Sequence, residues 1–236
     1  MPVDYQAVEK KIEKFIKDSV KKAGTRGVVL GLSGGLDSSL VATLCVRSLG
    51  SENVLGILMP SETNSPQDVH DAKLVAEKLG IGHRVVPIKD MLDAFKIHIE
   101  RQDQLALGNL SARIRMCILY YYANTLDYLV IGTGNKSEIS IGYFTKYGDG
   151  GCDLLPIGGL YKTQARELAK SMGLPQQIID RTPTAGLWPG QTDEGEIGMS
   201  YEQLDRVLSG KAENIRIKRM VNASEHKRRM PEICKL

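Results

Sequence analysis

Apolar residues recur at helical spacing near the start of the chain and form an unbroken run soon after it. The first set lies three to four positions apart and consists of Val8, Ile12, Phe15, Ile16 and Val20. This spacing predicts an amphipathic helix that ends at Gly24. Residues 27–32 then form a short apolar run without alternation, which predicts a strand covered by helices on both faces of a sheet.

The same alternation of elements continues through the middle of the chain. The predicted helices span residues 38–49, 66–79, 91–99 and 110–126, and the predicted strands span 54–58, 83–88 and 128–132. Ser65 is the expected N-cap of the helix over 66–79, and Gly80 is its stop signal. Strands that alternate with helices favour parallel β-α-β units. We therefore expect an α/β fold with one doubly wound parallel sheet and helices on both faces.

The pattern changes after Gly142, where closely spaced glycines indicate a loop. The helices predicted beyond it span residues 162–172, 200–208 and 212–223. Residues 182–199 contain two prolines and four glycines, which favours a functional lid or binding loop. Because no linker or internal repeat interrupts the pattern, residues 1–236 are expected to form one domain.

Composition narrows the class of protein. The 236 residues carry 31 Lys and Arg against 28 Asp and Glu, a formal net charge of +3, and 42% are hydrophobic. These values support a hydrophobic core, and the scattered basic residues give no sign of nucleic-acid binding. No apolar run approaches the length of a membrane span. The four cysteines are far apart without a C-x-x-C pair, so we expect reduced thiols in a cytoplasmic protein.

Candidate chemistry begins between the first strand and the next helix, in the sequence Ser-Gly-Gly-Leu-Asp-Ser at 33–38. Glycines allow backbone N–H groups to converge on an anion, and the following helix adds its partial positive charge. Asp37 would repel phosphate unless a divalent cation lies between them, so the loop implies Mg²⁺. The stretch lacks the lysine of a Walker A motif. In the alternative interpretation, it is only a turn and a helix cap with a first-turn acid.

This loop resembles the pyrophosphate loop of the ATP pyrophosphatases, enzymes that split ATP into AMP and pyrophosphate. Two other stretches are more specific: Gly-Thr-Gly-Asn-Lys-Ser-Glu at 132–138, and Gly-Tyr-Phe-Thr-Lys-Tyr-Gly-Asp-Gly-Gly-Cys-Asp-Leu-Leu-Pro at 142–156. They resemble the ammonia-dependent NAD synthetases closely. Shorter matching stretches lie at residues 160–164, 183–185, 191–194 and 225–228. The resemblance therefore covers most of the chain from Gly31 onward.

The resemblance implies a fold like that of the adenine nucleotide alpha hydrolases and a two-step reaction. ATP adenylylates the nicotinic acid carboxylate of deamido-NAD, and ammonia then attacks the mixed anhydride to give NAD, AMP and pyrophosphate. The implied ATP-binding residues are Gly31, Leu32, Ser33, Gly34, Gly35, Leu36, Asp37, Ser38, Thr133, Lys162 and Thr184. The implied deamido-NAD-binding residues are Arg113, Lys146, Asp153, His226 and Lys227. Asp37 and Glu138 would hold Mg²⁺.

Charge explains why the reaction needs such residues, because ATP and deamido-NAD are both anions that repel each other. The expected catalytic residues are Asp37, Glu138, Asp149 and Lys162, with Asp149 binding a second Mg²⁺ or receiving a proton from ammonium. Each also has an ordinary interpretation when taken singly. The lysines, with the basic residues 226–229, could be solvated surface charges, and Glu138 and Asp149 could cap helices or turns. Their order along the chain favours the site.

The helix predicted over 110–126 carries two apolar stripes. One consists of Leu110, Ile114, Cys117, Ile118, Tyr121 and Tyr122, and the other of Met116, Leu119, Tyr120 and Ala123. A sheet covers one face of such a helix, so the second face predicts a twofold partner, and the resembled family is homodimeric with deamido-NAD near that interface. Burial of both stripes within one chain is the alternative.

Two features qualify the resemblance. Leu58 lies where many bacterial members place an arginine near the nucleotide, which puts that contact in doubt. Residues 187–192 resemble glutamine-dependent relatives, but no stretch fits a glutaminase domain, so free ammonia is the expected nitrogen donor.

Two other functions stay open. The chain could be another pyrophosphatase with a different acyl acceptor, such as a tRNA base, although catalytic cysteines and an RNA-binding appendage are not evident. It could also be a nucleotide-binding sensor without chemistry. The acids Asp37, Glu138 and Asp149 argue against a sensor, because a passive site gains little from a cluster of like charges.

Overall fold

The computed structural model describes residues 3–188 and 190–234. Its strands are β1 (Gly27–Gly31), β2 (Val54–Leu58), β3 (Gly82–Val85) and β4 (Tyr128–Ile131). The longer helices are α1 (Tyr5–Ala23), α2 (Leu36–Leu49), α3 (Pro66–Leu79), α4 (Lys89–Lys96), α5 (Gln104–Leu126), α7 (Lys162–Ser171), α10 (Tyr201–Leu208) and α11 (Ile215–Ala223). Three short helices are α6 (Lys136–Ile141), α8 (Gln176–Ile179) and α9 (Asp193–Ile197). Among the described residues, no helix has the length and apolar character needed to cross a membrane.

All strand pairs are parallel, and the strand order is β3-β2-β1-β4. The chain builds outward from β1 through β2 to β3, and α5 then carries it back to the other side of β1. The order of strands therefore reverses between β1 and β4. In doubly wound sheets, ligands bind in the crevice that opens at this point, outside the carboxyl ends of the strands.

Helices cover both faces of the sheet, which confirms the expected fold class. Val28 and Leu30 of β1 point into one core, together with residues of α1, α2, α3 and α7. Val29 points into the other core, which α5 covers with Ile114 and Leu119. Because both faces are buried, β1 reads as an unbroken apolar run rather than an alternating one. A third, smaller core joins α6, α9, α10 and α11 beside the sheet.

Several helix ends follow the local signals. Ser65 accepts the backbone N–H of Asp68, and Gly24 and Gly80 end their helices at φ of 72° and 64°. The predicted start of α5 at 110 was wrong, because the Asp103 side chain accepts the Ala106 N–H at 2.8 Å and begins the helix at Gln104. Within the predicted lid or binding loop over 182–199, residues 193–197 form α9.

Two other boundaries were wrong in the region of β3. The strand ends at Val85 instead of residue 88, and Pro87, which has no backbone N–H for a ladder, lies just beyond it. The following helix spans Lys89–Lys96 rather than 91–99. These shifts leave the order of elements unchanged.

Candidate active site

The loop over 33–38 connects the carboxyl end of β1 to α2. Gly34 has φ of 76°, and a Cβ there would lie 2.9 Å from both the backbone N of Ala72 and the backbone O of Asp68. Only glycine fits this left-handed and closely packed position. The hydroxyls of Ser33 and Ser38 lie 3.0 Å apart. The loop thus presents hydroxyls and the first backbone N–H groups of α2 on one side, as an anion site requires.

Arg181 holds this loop from a distant part of the sequence. One guanidinium nitrogen donates to the Gly34 carbonyl at 3.3 Å and lies 3.7 Å from the carboxylate of Asp71. The other nitrogen pairs with Asp68. These contacts join the loop, α3 and the start of the 182–199 segment, and no sequence motif indicated them.

Asp37, near the C-terminal end of the loop, belongs to a buried cluster of three charges. The Lys162 ammonium is 2.5 Å from Asp37 Oδ2 and 3.2 Å from Glu138 Oε1, and Lys162 is only 4% exposed. Asp37 opens α2, Glu138 lies in the first turn of α6, and Lys162 opens α7. Each charge therefore comes from the start of a different helix. Asp37 Oδ1 is buried and has no hydrogen-bond partner among the described residues.

The position of Glu138 follows from local hydrogen bonds. Asn135 caps α6 by accepting the Glu138 N–H at 3.1 Å, and the Glu138 carboxylate accepts the Asn135 N–H at 3.2 Å in return. Glu138 is therefore both a helix-capping residue and a member of the charge cluster. The two interpretations offered by the sequence describe the same side chain.

One ammonium cannot neutralise the carboxylates around it. Burial raises the pKa of Glu138 to about 7, with Lys162 opposing the shift and Asp37 adding to it. Burial lowers the pKa of Lys162, but the charges of Asp37 and Glu138 outweigh this and hold the pKa above its ordinary value. Burial also raises the pKa of Asp193 nearby. The cluster carries an excess of negative charge that another cation would stabilise.

A tyrosine that the sequence did not indicate connects this cluster to the 182–199 segment, together with Asp193, which lies in the matching stretch 191–194 but had no predicted role. The Tyr201 hydroxyl lies 3.2 Å from Glu138 Oε1 and 3.0 Å from Asp193 Oδ2, and the Tyr201 ring lies 5.0 Å from the Lys162 nitrogen. Asp193 also accepts the Tyr143 hydroxyl at 3.2 Å. Asp193 belongs to α9, so this segment contacts the charge cluster through Tyr201.

Asp205 fixes the N-terminus of α7. Its carboxylate accepts the Thr163 N–H at 3.0 Å, the Thr163 hydroxyl at 2.7 Å and the hydroxyl of Ser137. The Ser137 oxygen in turn accepts the Lys162 N–H at 2.9 Å. Asp205 is buried, so these bonds replace the water it lost and hold the backbone of Lys162 in place.

The glycine-rich loop after α6 is also tightly held. The Asp149 carboxylate accepts the Thr145 N–H at 2.8 Å, and the Thr145 hydroxyl donates to Asn109 at 2.7 Å. Tyr147 adopts φ of 63°, a conformation that is strained for a bulky residue, and its side chain is 60% exposed. Burial raises the pKa of Asp149 above its ordinary value. A carboxylate of this kind accepts a proton more readily than a solvated one.

The residues expected to bind deamido-NAD lie in or near this loop, and two of the five, Arg113 and Lys227, donate hydrogen bonds to it. Arg113 donates to the Lys146 carbonyl at 3.3 Å. Lys227 donates to the carbonyls of Gly142 and Phe144 at 2.8 Å each. Asp153 accepts the Tyr120 hydroxyl at 2.9 Å and the Val130 N–H at 2.8 Å. His226 lies exposed beside Lys227.

A cavity of about 460 Å³ runs between the two loops. Expected site residues that line it are Gly31, Leu32, Ser33, Thr133, Asp149 and Lys227. The expected substrate-binding residues Thr184, Arg113, Lys146, Asp153 and His226 do not line it. The Thr184 hydroxyl donates instead to the Gln191 carbonyl at 2.8 Å. Leu58 lines it as a buried apolar residue without any charge. Asp37 and Lys162 do not line it either.

Sequence comparison identifies the relatives of this chain. A sequence profile of the NAD synthase family matches residues 8–231. The NH(3)-dependent NAD(+) synthetase of Archaeoglobus fulgidus is 49% identical over 99% of this chain and 98% of its own length. That of Methanocaldococcus jannaschii is 52% identical over 86% of this chain and 80% of its own length.

Solved structures that are similar to this one include an NMN synthetase and an NAD synthetase. An NMN synthetase from Francisella tularensis superposes with a TM-score of 0.95 at 38% identity and covers 100% of both chains. An NH3-dependent NAD synthetase from Campylobacter jejuni gives a TM-score of 0.84 at 38% identity, covering 99% of this chain and 100% of its own.

Proposed function

We infer the roles of the site residues from one premise: this chain belongs to the NAD synthase family and is a ligase that amidates deamido-NAD to NAD with ammonia and ATP. The carboxylate of deamido-NAD attacks the α-phosphorus of ATP, and pyrophosphate leaves. Ammonia then attacks the acyl carbon, and AMP leaves. The observation that carries the residue roles is the buried cluster of Asp37, Glu138 and Lys162 at the end of the phosphate loop.

In this proposal, the loop over 33–38 binds the ATP phosphates. Its hydroxyls and the N-terminal N–H groups of α2 donate to phosphate oxygens, as they do at other anion sites on helix N-termini. Lys162 moves from Asp37 to the phosphates and stabilises the charge that builds up on the leaving pyrophosphate. Thr133, which lines the cavity near β4, contacts the nucleotide. For Thr184 to contact ATP, the 182–199 segment has to rearrange.

The donor set fits Mg²⁺. Asp37 Oδ1 is a buried carboxylate oxygen without a partner, and the carboxylates in this cluster outnumber its single ammonium. Carboxylate oxygens are the ligands that Mg²⁺ prefers, usually together with substrate phosphates. Within residues 3–188 and 190–234, no group of three or more acidic, His or Cys side chains could hold a metal ion. Asp37 and Glu138 would hold Mg²⁺ together with ATP, and the ion would offset the charge of the phosphates.

We assign the acceptor to the other end of the cavity. Lys146, Arg113, Asp153, His226 and Lys227 bind deamido-NAD around the glycine-rich loop. Asp149 receives a proton from ammonium, so that the neutral amine can attack the acyl adenylate. The raised pKa of Asp149 supports this role, because it makes the carboxylate a better proton acceptor.

We also propose a homodimer in the cytoplasm. On α4 and α5, three apolar side chains are largely exposed: Phe95 at 51%, Leu105 at 60% and Tyr121 at 66%. Exposed apolar residues on neighbouring elements are typical of a protein interface. Sedimentation of the native protein should give the mass of two chains, and Tyr121→Glu should shift it towards one chain. The cytoplasmic location is supported by the unpaired thiols of Cys45, Cys117 and Cys152.

A second acceptor has structural support. At the same 38% identity, the NMN synthetase superposes with a TM-score of 0.95 and the Campylobacter NAD synthetase with 0.84. We therefore propose nicotinic acid mononucleotide, which lacks the AMP half of deamido-NAD, as an alternative acceptor at the same site. Competition between the two acceptors in one reaction would give the ratio of their kcat/KM values and decide which is preferred.

The direct test is incubation with ATP, Mg²⁺, ammonium and deamido-NAD, followed by chromatography for NAD and AMP. We expect equal amounts of both products. Glutamine should support little activity at about pH 8.5, where more free amine is present than at neutral pH. Release of pyrophosphate with another acceptor, but no formation of NAD, would contradict the assignment. Equal activity with glutamine would indicate that a partner supplies ammonia.

A further inference from the structure

Arg115 is a charged residue in the cavity to which neither the motifs nor the resemblance assigns a role. It lies on α5 between the buried residues Ile114 and Met116. Its guanidinium donates to the Met59 carbonyl at 3.0 Å, to the Ser61 hydroxyl at 3.3 Å and to Asn64 Oδ1 at 3.5 Å. All three acceptors are neutral, so they orient the group without neutralising its charge.

The charge of Arg115 has no directly paired counter-ion in the part of the chain that the structure describes. No carboxylate there forms an ion pair with it, and its Nη1 atom makes no hydrogen bond with the described residues. Burial lowers the pKa of Arg115 to about 10, and the charge of Asp149 opposes this shift from a distance. At neutral pH the guanidinium is still positive. A partly buried cation without an anion is costly unless a ligand supplies one.

Arg115 lies between the two ends of the cavity. On one side its guanidinium contacts the end of β2, beside the cavity-lining residues Gly31 and Leu32 of the nucleotide end. Asp149, which we assign to the acceptor end, lines the same cavity, and its charge acts on Arg115. The ATP phosphates already have Lys162 and the loop over 33–38. In the acceptor, the carboxylate that must meet the α-phosphate is the anion for which no cation has been assigned.

We propose that Arg115 binds the carboxylate of the pyridine ring in the acyl acceptor and selects the acid over the amide. This inference rests on the proposed function of the site. The unused Nη1 atom can donate to one carboxylate oxygen, and Nη2 can donate to the other when it gives up its long contact of 3.5 Å to Asn64. Two such parallel hydrogen bonds would hold the carboxylate oxygens in place for attack on phosphorus. The product carries an amide, whose N–H groups are donors and cannot accept from the guanidinium. Arg115 therefore favours binding of the substrate and release of NAD.

The experiment compares the binding of deamido-NAD and NAD by calorimetry, with Mg²⁺ and α,β-methylene-ATP present. The analogue cannot be split between its α- and β-phosphates, so neither dinucleotide reacts. The native protein should bind deamido-NAD at least about tenfold more tightly than NAD, since a hydrogen bond to a charged group contributes about 1.5 to 3 kcal/mol. Arg115→Met should weaken the binding of deamido-NAD by about 10- to 100-fold and that of NAD by less than about threefold.

Two variants control for indirect effects. Arg219→Met makes the same change at an exposed position on α11 and should leave both affinities unchanged. Arg115→Lys keeps the charge and the aliphatic stem if the Met variant does not fold. It should weaken the binding of deamido-NAD by about three- to tenfold and leave the binding of NAD unchanged, because one ammonium cannot replace the two parallel donors of a guanidinium.

Equal losses of affinity for deamido-NAD and NAD in the Arg115 variants would overturn the proposal, because the residue would then only support the cavity wall. The affinity for α,β-methylene-ATP is measured in a separate titration, and a loss of affinity confined to this analogue would overturn the proposal as well and assign Arg115 to the nucleotide. The proposed function fails separately, if the native protein forms no NAD in the turnover assay. The binding ratio needs no turnover, so the two failures are distinguishable.

Discussion

The two ends of the site are held in different ways. At the ATP end, Asp37, Glu138 and Lys162 form a buried cluster in which charges hold one another. At the acceptor end, Arg113 and Lys227 donate to backbone carbonyls of the glycine-rich loop. The first arrangement places the charges before ATP arrives, but Lys162 must leave Asp37 to act. The second uses cations to shape a loop, and their remaining donors are available to a ligand. Substitutions should therefore affect both stability and turnover at the first end, and mainly affinity at the second.

The largest expected effect concerns Asp37. Asp37→Asn removes the carboxylate that we propose as a metal ligand but leaves Lys162 paired with Glu138. Turnover should fall by about 10³-fold, a typical loss when charge stabilisation of a transition state is removed. Steady-state kinetics at saturating Mg²⁺ measure turnover, and circular dichroism measures whether the fold is retained. Asp90→Asn is the matched control, because Asp90 is also the second residue of a helix but is exposed. Unchanged turnover in Asp37→Asn would exclude Asp37 as a ligand.

Substitutions of Lys162 and Lys146 test whether the ATP end contributes more to stability than the acceptor end does. Lys162→Met leaves buried carboxylates without their cation and should lower the free energy of unfolding by about 3 to 5 kcal/mol. Lys146→Met should change it by less than about 0.5 kcal/mol, because Lys146 has no ion pair among the described residues. Urea unfolding of both variants without ATP gives the comparison. Similar losses of unfolding free energy in both variants would show that the two ends of the site do not differ in their contribution to stability.

Lys146 should instead affect affinity for the acceptor. Lys146→Ala removes a cation from the loop that we assign to deamido-NAD and should raise KM for deamido-NAD by about tenfold, the loss expected for one charge-assisted hydrogen bond. KM for ATP should change by less than about twofold. Initial rates with each substrate varied in turn provide the test, and the opposite pattern would assign Lys146 to the ATP end.

The last expected effect is on the pH dependence of stability. The pKa of Glu138 in the folded protein is about 7, above the ordinary 4.5, so the folded state keeps a proton that the unfolded chain loses. This group therefore makes the metal-free protein less stable as pH rises from about 5 to about 7. Glu138→Gln should reduce that decline by about 2 kcal/mol, the linkage expected for this pKa shift between pH 5 and 7. Urea unfolding in EDTA at several pH values measures it, with the exposed Glu167→Gln as control. A decline as steep as in the native protein would show that Glu138 is ionised throughout.

The sequence determined the parts of this protein that depend on neighbours along the chain. The apolar runs gave the strands in order, and the glycines of the 33–38 loop predicted the turn that follows β1. The stretch around Glu138 indicated the family through a motif that is contiguous in sequence. Where boundaries were wrong, as at α5, a local cap such as Asp103 had been overlooked.

Only the tertiary structure brought together Tyr201 with Glu138, Asp205 with Ser137, and Arg115 with Met59, pairs separated by 63, 68 and 56 positions. Periodicity reports which face of its own helix or strand a residue occupies, and it carries no information about which distant element packs there. The same limit applies to charge. Sequence shows that Asp37, Glu138 and Lys162 are ionisable, but burial and mutual distance decide how their protons are held, and both arise only when the helices assemble on the sheet.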